Sequence, residues 1–217
     1  MDKTPQKIKE MFDKIAKVYD FNNSLMSLGQ HVRIKKKAVK YLNAKNSKIL
    51  DLCTGTGDIA GFMDKSCEVI GLDFSKNMLD IAKKKYHWVN FVEGDCTNLP
   101  FEDNSFDVIT ISFGLRNIEN YDKALDEIYR VLKPNGLFMH LDFGKKNLLG
   151  DILFDLFIPY LVKIFYNENL PYEYLVKSKK LFFNEKALVD LFEQHKLQLK
   201  EKHTMLFGGA SCQICQK

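Results

Sequence analysis

The sequence K-I-L-D-L-C-T-G-T-G-D-I-A, residues 48–60, decides the fold of this chain. It begins as a short apolar run typical of a buried β-strand, passes through a turn with two glycines, and continues into a helix start. Gly55 and Gly57 permit a sharp turn and a close approach of the backbone to a ligand. A second predicted strand, residues 68–72, is followed by Asp73, which places a carboxylate near that turn. The sequence therefore predicts a nucleoside-containing cofactor at these strand ends.

Predicted strands and helices alternate after this stretch. The predicted strands are residues 48–52, 68–72, 88–93, 106–112 and 137–142, and the helices are residues 58–65, 76–86 and 121–132. Alternation of this kind requires right-handed crossovers and produces a parallel sheet covered by helices on both faces. A helix at 184–194 and a hairpin of 197–203 with 206–215 would complete the sheet. We expect an α/β three-layer sandwich with a Rossmann-like sheet and a ligand beyond the carboxyl ends of its strands.

The N-terminal region is predicted to be helical. Residues 5–45 carry apolar side chains at three- and four-residue steps. The polar segment 21–30 predicts a break, and a second helix is expected at 31–42. We expect this region, residues 1–45, to form a helical lid on a single domain that spans residues 1–217.

A second region, residues 145–183, interrupts the alternation. Its segment 148–166 carries an apolar stripe wider than an ordinary surface helix needs. Two interpretations remain open: a helix pair packed on the core, and a lid or channel for a lipid-like substrate. We treat the region as a helical insertion on the substrate side.

The composition indicates a folded protein of a reducing compartment. The 217 residues are 46% hydrophobic and 28% charged, with a net charge of +4. The lysine runs at 35–37 and 83–85 are interpreted as solvated helix faces, so no nucleic-acid partner is expected. The N-terminus lacks an apolar signal segment, which predicts a cytoplasmic protein. The C-x-x-C at 212–215 lacks a second ligand pair, so no metal site is predicted.

The turn at residues 55–60 is compatible with two cofactors. The turn formally satisfies G-x-G-x-x-A, the pattern of dinucleotide-binding folds. Asp58, however, lies in the first turn of the predicted helix and would repel a diphosphate. Asp58, Asp73 and Asp95 all lie at strand ends on one predicted rim, and three carboxylates suit a cationic ligand. This charge pattern favours S-adenosylmethionine, with NAD as the alternative.

Six segments of the sequence carry a family resemblance. They are D-L-C-T-G-T-G-D at 51–58, G-L-D-F-S-K-N-M-L at 71–79, L-P-F-E-D-N-S-F-D-V-I-T-I-S-F-G-L-R-N-I at 99–118, R-V-L-K-P-N-G at 130–136, M-F-D-K-I-A-K-V-Y-D at 11–20 and S-L-G-Q-H at 27–31. The chain resembles the class I S-adenosylmethionine-dependent methyltransferases. More narrowly, from about residue 10 to about residue 209, it resembles the menaquinone/ubiquinone biosynthesis C-methyltransferase family.

The resemblance implies a seven-stranded sheet with an antiparallel last strand, and methyl transfer to a ring carbon of a prenylated demethylmenaquinol or of a related benzoquinol. It also implies a set of cofactor contacts. These are Thr56 in the turn shaped by Gly55 and Gly57, Asp73 on the ribose, Asp95 and Cys96 beside the adenine, and Ser112 at the end of the fourth strand. The chain departs from the family pattern at Cys53, which replaces a glycine, and at its ending, residues 208–217.

Three residues are candidates for the chemistry. Arg116, in the word F-G-L-R-N, would lower the pKa of the quinol. His31 would act as a base or as a hydrogen-bond donor to the quinol, and Tyr19 would cover the cofactor. A prenyl tail would bring the protein to the inner face of the membrane as a peripheral protein, and a homodimer is a further expectation. The alternatives are a methyltransferase for another lipophilic phenol and a non-catalytic S-adenosylmethionine-binding subunit of a quinone-synthesis complex.

Overall fold

The computed structural model of the protein describes residues 3–144, 174, 177–179 and 181–217, with the side chain of residue 207 left aside. Most of the expected insertion at 145–183 therefore lies outside the described residues. So does its apolar stripe at 148–166, and both interpretations of that stripe remain predictions.

Seven strands of the described residues form one sheet. They are β1 (Lys48–Leu52), β2 (Glu68–Asp73), β3 (Asn90–Glu93), β4 (Phe106–Ser112), β5 (Leu132–Phe143), β6 (Gln198–Met205) and β7 (Ala210–Gln216). Their order is β3-β2-β1-β4-β5-β7-β6. Neighbouring strands from β3 to β5 are parallel, whereas β7 lies antiparallel to both β5 and β6. The predicted fold class, with an antiparallel last strand, is confirmed.

Helices cover both faces of this sheet. They are α1 (Pro5–Ser27), α2 (Gln30–Leu42), α3 (Asp58–Phe62), α4 (Lys76–Lys85), α5 (Tyr121–Val131) and α6 (Glu185–Gln194). One core lies under α5 and α6 and contains Leu50, Ile109 and Phe138 from the sheet. The other lies under α2, α3 and α4 and contains Ile49 and Val108. Adjacent strand residues thus alternate between two apolar cores, as a sheet buried on both faces requires.

The predicted break at 21–30 is too long, because α1 continues to Ser27. Asn22 is buried, and Ser27 Oγ donates to the Asn23 carbonyl at 2.6 Å inside the helix. These polar residues, which also suit turns, are therefore satisfied within helical geometry. The chain turns only at Leu28 and Gly29, which both adopt positive φ angles of 49° and 72°.

Strand β5 begins earlier than predicted. Leu132 already pairs with Phe106, and the register then shifts so that Leu137 pairs with Val108. The K-P-N-G segment at 133–136, predicted as a simple turn before the strand, is accommodated by this irregularity.

The two cysteines of the C-x-x-C lie on opposite faces of β7. Cys212 belongs to the core under α2 to α4, and Cys215 to the core under α5 and α6. Burial raises the pKa of each thiol to about 12. The pair therefore cannot coordinate one ion.

None of the helices in the described residues is long and apolar enough to cross a bilayer.

Gly57→Ala is expected to destabilise the fold more than Gly29→Ala. Both glycines have positive φ angles, of +82° and +72°, so both variants carry left-handed strain of about 1–2 kcal/mol. A Cβ on Gly57 would lie 2.7 Å from Phe91 Cζ, whereas one on Gly29 would meet nothing within 4 Å. The clash should remove a further ~1–3 kcal/mol of unfolding free energy. Urea unfolding followed by circular dichroism measures the difference, and equal midpoints would contradict it.

Candidate functional site

A cleft of about 450 Å³ opens at the carboxyl ends of β1, β2 and β4 and is covered by α1. Its lining from α1 includes Ile8, Phe12 and Tyr19, and its lining from the strand ends and loops includes Cys53, Gly55, Asp73, Asp95, Cys96, Ser112 and Phe113. The sheet places these side chains together because all three strands are parallel and end at one edge. Six of the seven predicted cofactor residues and Tyr19 fall in or next to this cleft: Gly55, Asp73, Asp95, Cys96 and Ser112 line it, and Thr56 lines the smaller cavity beside it.

The turn after β1 leaves room for a ligand. Gly55 has a φ of +56°, and a Cβ built on it would meet nothing within 4 Å. The open space at this glycine belongs to the cleft. Cys53, the residue that departs from the family pattern, also adopts a left-handed φ of 53°. The Thr54 amide donates to the Leu72 carbonyl at 3.0 Å, which ties the turn to β2.

Asp73 is presented to the cleft by backbone hydrogen bonds. The Gly55 amide donates to Oδ2 at 2.8 Å, and the Ser75 amide donates to Oδ1 at 2.9 Å. Burial outweighs these bonds and raises the pKa of Asp73 to about 6. Each carboxylate oxygen can accept a second hydrogen bond, so Asp73 remains able to bind two neighbouring ribose hydroxyls.

The loop after β3, which is predicted to lie beside the adenine, lines one side of the cleft. Asp95 Oδ1 accepts hydrogen bonds from the Thr97 amide at 2.8 Å and the Thr97 hydroxyl at 2.9 Å. These contacts fix the exposed Asp95 side chain at the rim. Cys96 is buried and lines the cleft beside Cys53.

Ser112 supplies a direct test of whether a polar ligand fits. Its Oγ is buried and has no hydrogen-bond partner among the described residues. Buried polar atoms are nearly always paired, so an unpaired hydroxyl in a cleft indicates a place for a ligand atom. The open turn at Gly55, the carboxylate of Asp73 and the Ser112 hydroxyl together fit a nucleoside with a polar, charged tail.

Thr56 connects the turn after β1 to α1. Its Oγ1 donates to Asp20 Oδ1 of α1 at 2.7 Å, so the hydroxyl holds the helix that covers the cleft, and its predicted contact with the cofactor stays a prediction. Gly57 does not line the cleft in the described structure. Its close approach to Phe91 instead packs the turn against β3.

The expected electrostatic role of Asp58 is wrong. Asp58 is buried, and its two oxygens pair with Lys35 Nζ at 2.9 Å and Lys85 Nζ at 2.7 Å. These cations hold the pKa of Asp58 far below its usual range although burial opposes them. The charge is neutralised locally, so only Asp73 and Asp95 of the three predicted carboxylates lie at the cofactor cleft.

Helix α1 is attached by polar contacts along its length. Ser75 Oγ donates to Asp13, Lys85 Nζ pairs with Asp20 at 2.7 Å, and Lys9 Nζ pairs with Glu93 at 3.0 Å. Its apolar residues Ile8 and Phe12 face the cleft at the same time. Helix α1 thus presents an apolar surface to the cleft, while polar contacts attach the helix to the rest of the protein.

Arg116 lies in a 3₁₀ turn, Leu115–Asn117, directly after β4. It is buried and donates to Asp142 Oδ1 at 2.5 Å. Its guanidinium carbon lies 5.0 Å from the ring centre of Phe143 and 5.7 Å from that of Phe113. Arg116 stands behind the lining residues Phe113 and Asn117 of the cleft.

The structure does not place His31 at the cleft. Its Nε2 lies 3.0 Å from Ser24 Oγ of α1, and its backbone amide donates to Ser27 Oγ at 3.2 Å. Burial lowers the pKa of His31, and Lys35 adds to the effect. The residue joins α1 to α2. Tyr19, in contrast, lines both the cleft and the smaller cavity beside it.

Two acidic residues of this region were not predicted as site residues. Asp142 is the second-last residue of β5 and the partner of Arg116. Asp51 in β1 accepts hydrogen bonds from Thr54 and Thr110, both at 2.6 Å, and burial raises its pKa to about 6. Asp142 could have been found from the sequence, because it lies at the carboxyl end of the predicted strand 137–142, where site residues gather. Asp51 looked like an ordinary strand residue.

Solved structures share this fold. A possible histamine N-methyltransferase of Thermotoga maritima superposes with a TM-score of 0.72, covering 97% of this chain and 99% of that one at 21% identity. A putative S-adenosylmethionine-dependent methyltransferase of Methanococcus maripaludis gives a TM-score of 0.64, covering 94% and 93% at 22% identity. Within the described residues, no group of three His, Cys, Asp or Glu side chains could hold a metal ion. The fold of the described residues is therefore that of the S-adenosylmethionine-dependent methyltransferases.

Sequence comparison identifies the family of the chain. Residues 1–217 match the ubiE/COQ5 methyltransferase family, and the chain belongs to that family of C-methyltransferases of quinone biosynthesis. A demethylmenaquinone methyltransferase of Bacillus pumilus is 37% identical, with 98% of this chain and 97% of the relative covered. One of Bacillus velezensis is also 37% identical, with 96% of each chain covered. The family and the cofactor expected from the sequence are confirmed.

S-adenosylmethionine affinity is expected to fall as the pH drops below about 6. In the predicted role of Asp73, ribose hydroxyls would donate to its ionised form, and protonation, which occurs near its raised pKa of about 6, would remove an acceptor. Asp51 titrates in the same range, so Asp73→Asn is needed to separate the two. That variant should bind about tenfold or more weakly at pH 8 and show a flatter profile from pH 5 to 8. Calorimetry measures this, with the exposed Asp64→Asn as the matched control; an unchanged profile in Asp73→Asn would contradict the ribose role.

Proposed function

We propose that this chain methylates a ring carbon of a prenylated demethylmenaquinol, the last chemical change that completes menaquinone. The main support is the 37% identity, over 98% of the chain, to demethylmenaquinone methyltransferases. The cleft adds support because it is apolar on the α1 side and lies beside a buried cation, Arg116. A benzoquinol intermediate of ubiquinone biosynthesis is a second substrate that the family membership allows.

The reaction requires a nucleophilic ring carbon. S-adenosylmethionine supplies a methyl group on a cationic sulfur. A quinol carbon becomes nucleophilic when the neighbouring phenol loses its proton, and an ordinary phenol has a pKa near 10. The protein must therefore stabilise the phenolate and hold donor and acceptor in line. Because charge is neutralised during transfer, exclusion of water by α1 and by Phe113 favours the reaction.

Arg116 is the group that would stabilise the phenolate. Asp142 and the rings of Phe113 and Phe143 fix its guanidinium plane. Its field reaches the cleft, because it lowers the pKa of Lys3, a residue of the cleft lining, in addition to the larger effect of burial. Arg116 would act on the quinol through this field or through a bound water, since it lies behind the lining.

The pKa of the Tyr174 phenol shows that burial can outweigh the effect of Arg116. Arg116 favours ionisation of the Tyr174 phenol, yet burial dominates and raises its pKa to about 12. The Tyr174 hydroxyl donates to Asn117 Oδ1 at 3.0 Å, next to Arg116 in sequence. A quinol in this region would meet the same desolvation. The proposed role of Arg116 is to offset it.

The remaining predicted residues have supporting roles. Tyr19 would cover the reacting groups from α1, and residues 1–45 would act as a lid whose opening admits the cofactor. Because His31 bonds to Ser24 and lies away from the cleft, we assign it to the corner between α1 and α2 and not to proton removal. Thr56 would hold the lid closed through Asp20.

The direct test is methyl transfer by the purified protein. Tritium from methyl-labelled S-adenosylmethionine should appear on the ring of a short-chain demethylmenaquinol, and mass spectrometry of cells that lack the protein should show a quinone pool one methyl group short. A phenol series run in parallel tests the alternative of another lipophilic acceptor. Saturable cofactor binding without turnover on any quinol would favour the non-catalytic subunit.

Arg116→Lys is expected to lower turnover on the quinol about 10²–10³-fold, because Lys keeps the charge but loses the fork that Asp142 and the two rings hold. Arg116→Met should lower it further, with some loss of stability from the unpaired Asp142. Calorimetry should find S-adenosylmethionine binding nearly unchanged in both. Arg130→Lys, an ion-paired arginine of α5, is the control. Wild-type turnover in Arg116→Lys would exclude the role.

We also propose peripheral contact with the inner face of the membrane. Phe21 and Leu28, at the end of α1, are 59% and 85% exposed, and the exposed Lys36 and Lys37 follow on α2. Lys35 is excluded from such a contact by its buried pair with Asp58. Flotation with anionic vesicles, compared with a Phe21→Ser, Leu28→Ser double variant, measures this contact. The expected homodimer stays a prediction, and sedimentation analysis measures the oligomeric state.

A further inference from the structure

Four buried polar side chains share one face of β5 and β7. His140 and Asp142 are two residues apart on β5 and point to the same side of the sheet. In the antiparallel ladder they lie opposite Gln213 and Ser211 of β7. All four are at most 3% exposed. We call these four residues the β5–β7 polar patch. It adjoins the site, because Asp142 is the partner of Arg116.

The donors and acceptors in the patch can be assigned in order, starting from the ion pair of Glu185 with Lys202 and ending at His140. Lys202 Nζ donates to Glu185 Oε2 at 3.3 Å, so the Glu185 carboxylate acts as an acceptor. The Ser211 hydroxyl donates its one hydrogen to Glu185 at 2.8 Å. Ser211 Oγ must then accept from Gln213 at 2.6 Å, which assigns Nε2 of Gln213 to Ser211. Gln213 Oε1 therefore faces His140.

This order holds His140 in one tautomer. His140 Nδ1 lies 2.9 Å from Gln213 Oε1, and because that oxygen can only accept, Nδ1 carries the hydrogen. Complete burial lowers the pKa of His140, so the ring is neutral at pH 7. The charged groups around it are Asp142, Arg116 and, through Ser211 and Gln213, Glu185. His140 Nε2 is consequently a bare acceptor.

Two acceptors of the patch and one donor beside it are unpaired. His140 Nε2, Asp142 Oδ2 and Arg116 Nε have no hydrogen-bond partner within the part of the chain that the structure describes. Asp142 Oδ1 already accepts from Arg116 and from the Phe143 amide. His140 Nε2 and Asp142 Oδ2 cannot satisfy each other, because both act as acceptors in this arrangement, Asp142 as the ion-pair partner of Arg116. Buried acceptors in this position need a shared donor.

His140 and Asp142 line a common small cavity. Its other lining residues are the polar Glu185, Ser211 and Gln213 and the apolar Phe143, Phe182, Phe183 and Leu188. Its volume of about 10 Å³ is the space that one water molecule needs. Water has two hydrogens, which matches two unpaired acceptors. We propose that this cavity binds one buried water molecule that donates to His140 Nε2 and Asp142 Oδ2.

The water makes His140 a positioning residue for the reaction. It joins His140 to Asp142, and Asp142 orients Arg116, so that the guanidinium keeps one geometry while the quinol ionises. This step rests on the proposed role of Arg116, whereas the water site itself does not.

The site is tested first without any turnover. Nitrogen-15 NMR of the full chain labelled at histidine should show His140 neutral, with hydrogen on Nδ1 and a bare Nε2. A high-resolution crystal structure should show one ordered water between Nε2 and Asp142. A hydrogen on Nε2, or an empty cavity, would overturn the water site.

Two substitutions then separate positioning from packing. His140→Gln keeps an acceptor at the place of Nε2, while His140→Asn keeps only a donor at the place of Nδ1. Turnover on demethylmenaquinol should fall on the order of tenfold in His140→Asn and stay within about threefold of wild type in His140→Gln, with the KM for S-adenosylmethionine unchanged in both. Met139→Leu, on the opposite face of β5, is the control for packing. Equal losses in the two variants would overturn the positioning role.

The failure of the proposed function would look different. If Arg116→Lys turned over like wild type while NMR and the crystal structure showed the bare Nε2 and the water, the role of Arg116 would be excluded and the water site would stand.

Discussion

The buried carboxylate of Asp58 is the contact on which the arrangement of the cofactor side depends. One oxygen pairs with Lys35 of α2 and the other with Lys85 of α4, while Asp58 itself begins α3. Lys85 extends the network to Asp20 of α1. A buried charge is tolerable only when its partners compensate for lost hydration, and here each oxygen has a cation. Three helices and the covering helix are thereby joined at one point beside the cofactor turn.

The sheet edge carries different charged groups in its two halves. Asp73 and Asp95 lie where β2 and β3 end, and they line the cleft. Arg116 lies after β4, and its charge is balanced by the buried carboxylate of Asp142 near the end of β5. The parallel strands bring the two halves together because all of them end at one edge.

Local patterns predicted much of this fold and misassigned several contacts. Apolar alternation located β1, β2 and β4 and the helices between them, since burial on both sheet faces leaves a clear signature in sequence. Polarity alone misplaced the break at 21–30, where Asn22 is buried inside α1. The chemistry of Asp58 was misjudged because its partners, Lys35 and Lys85, are 23 and 27 residues away. Asp142 was missed as the partner of Arg116 for the same reason.

The sequence by itself determined the strand–turn–helix at residues 48–60, the carboxylate at the end of β2 and the family, because each depends on residues close together in the chain. Only the tertiary structure decided which charges face the cleft and which are neutralised. Asp58 begins α3 and Asp73 ends β2, yet one lies between two lysines and the other between two backbone amides. The state of a carboxylate depends on what burial places around it, and folding brings those neighbours from distant parts of the chain.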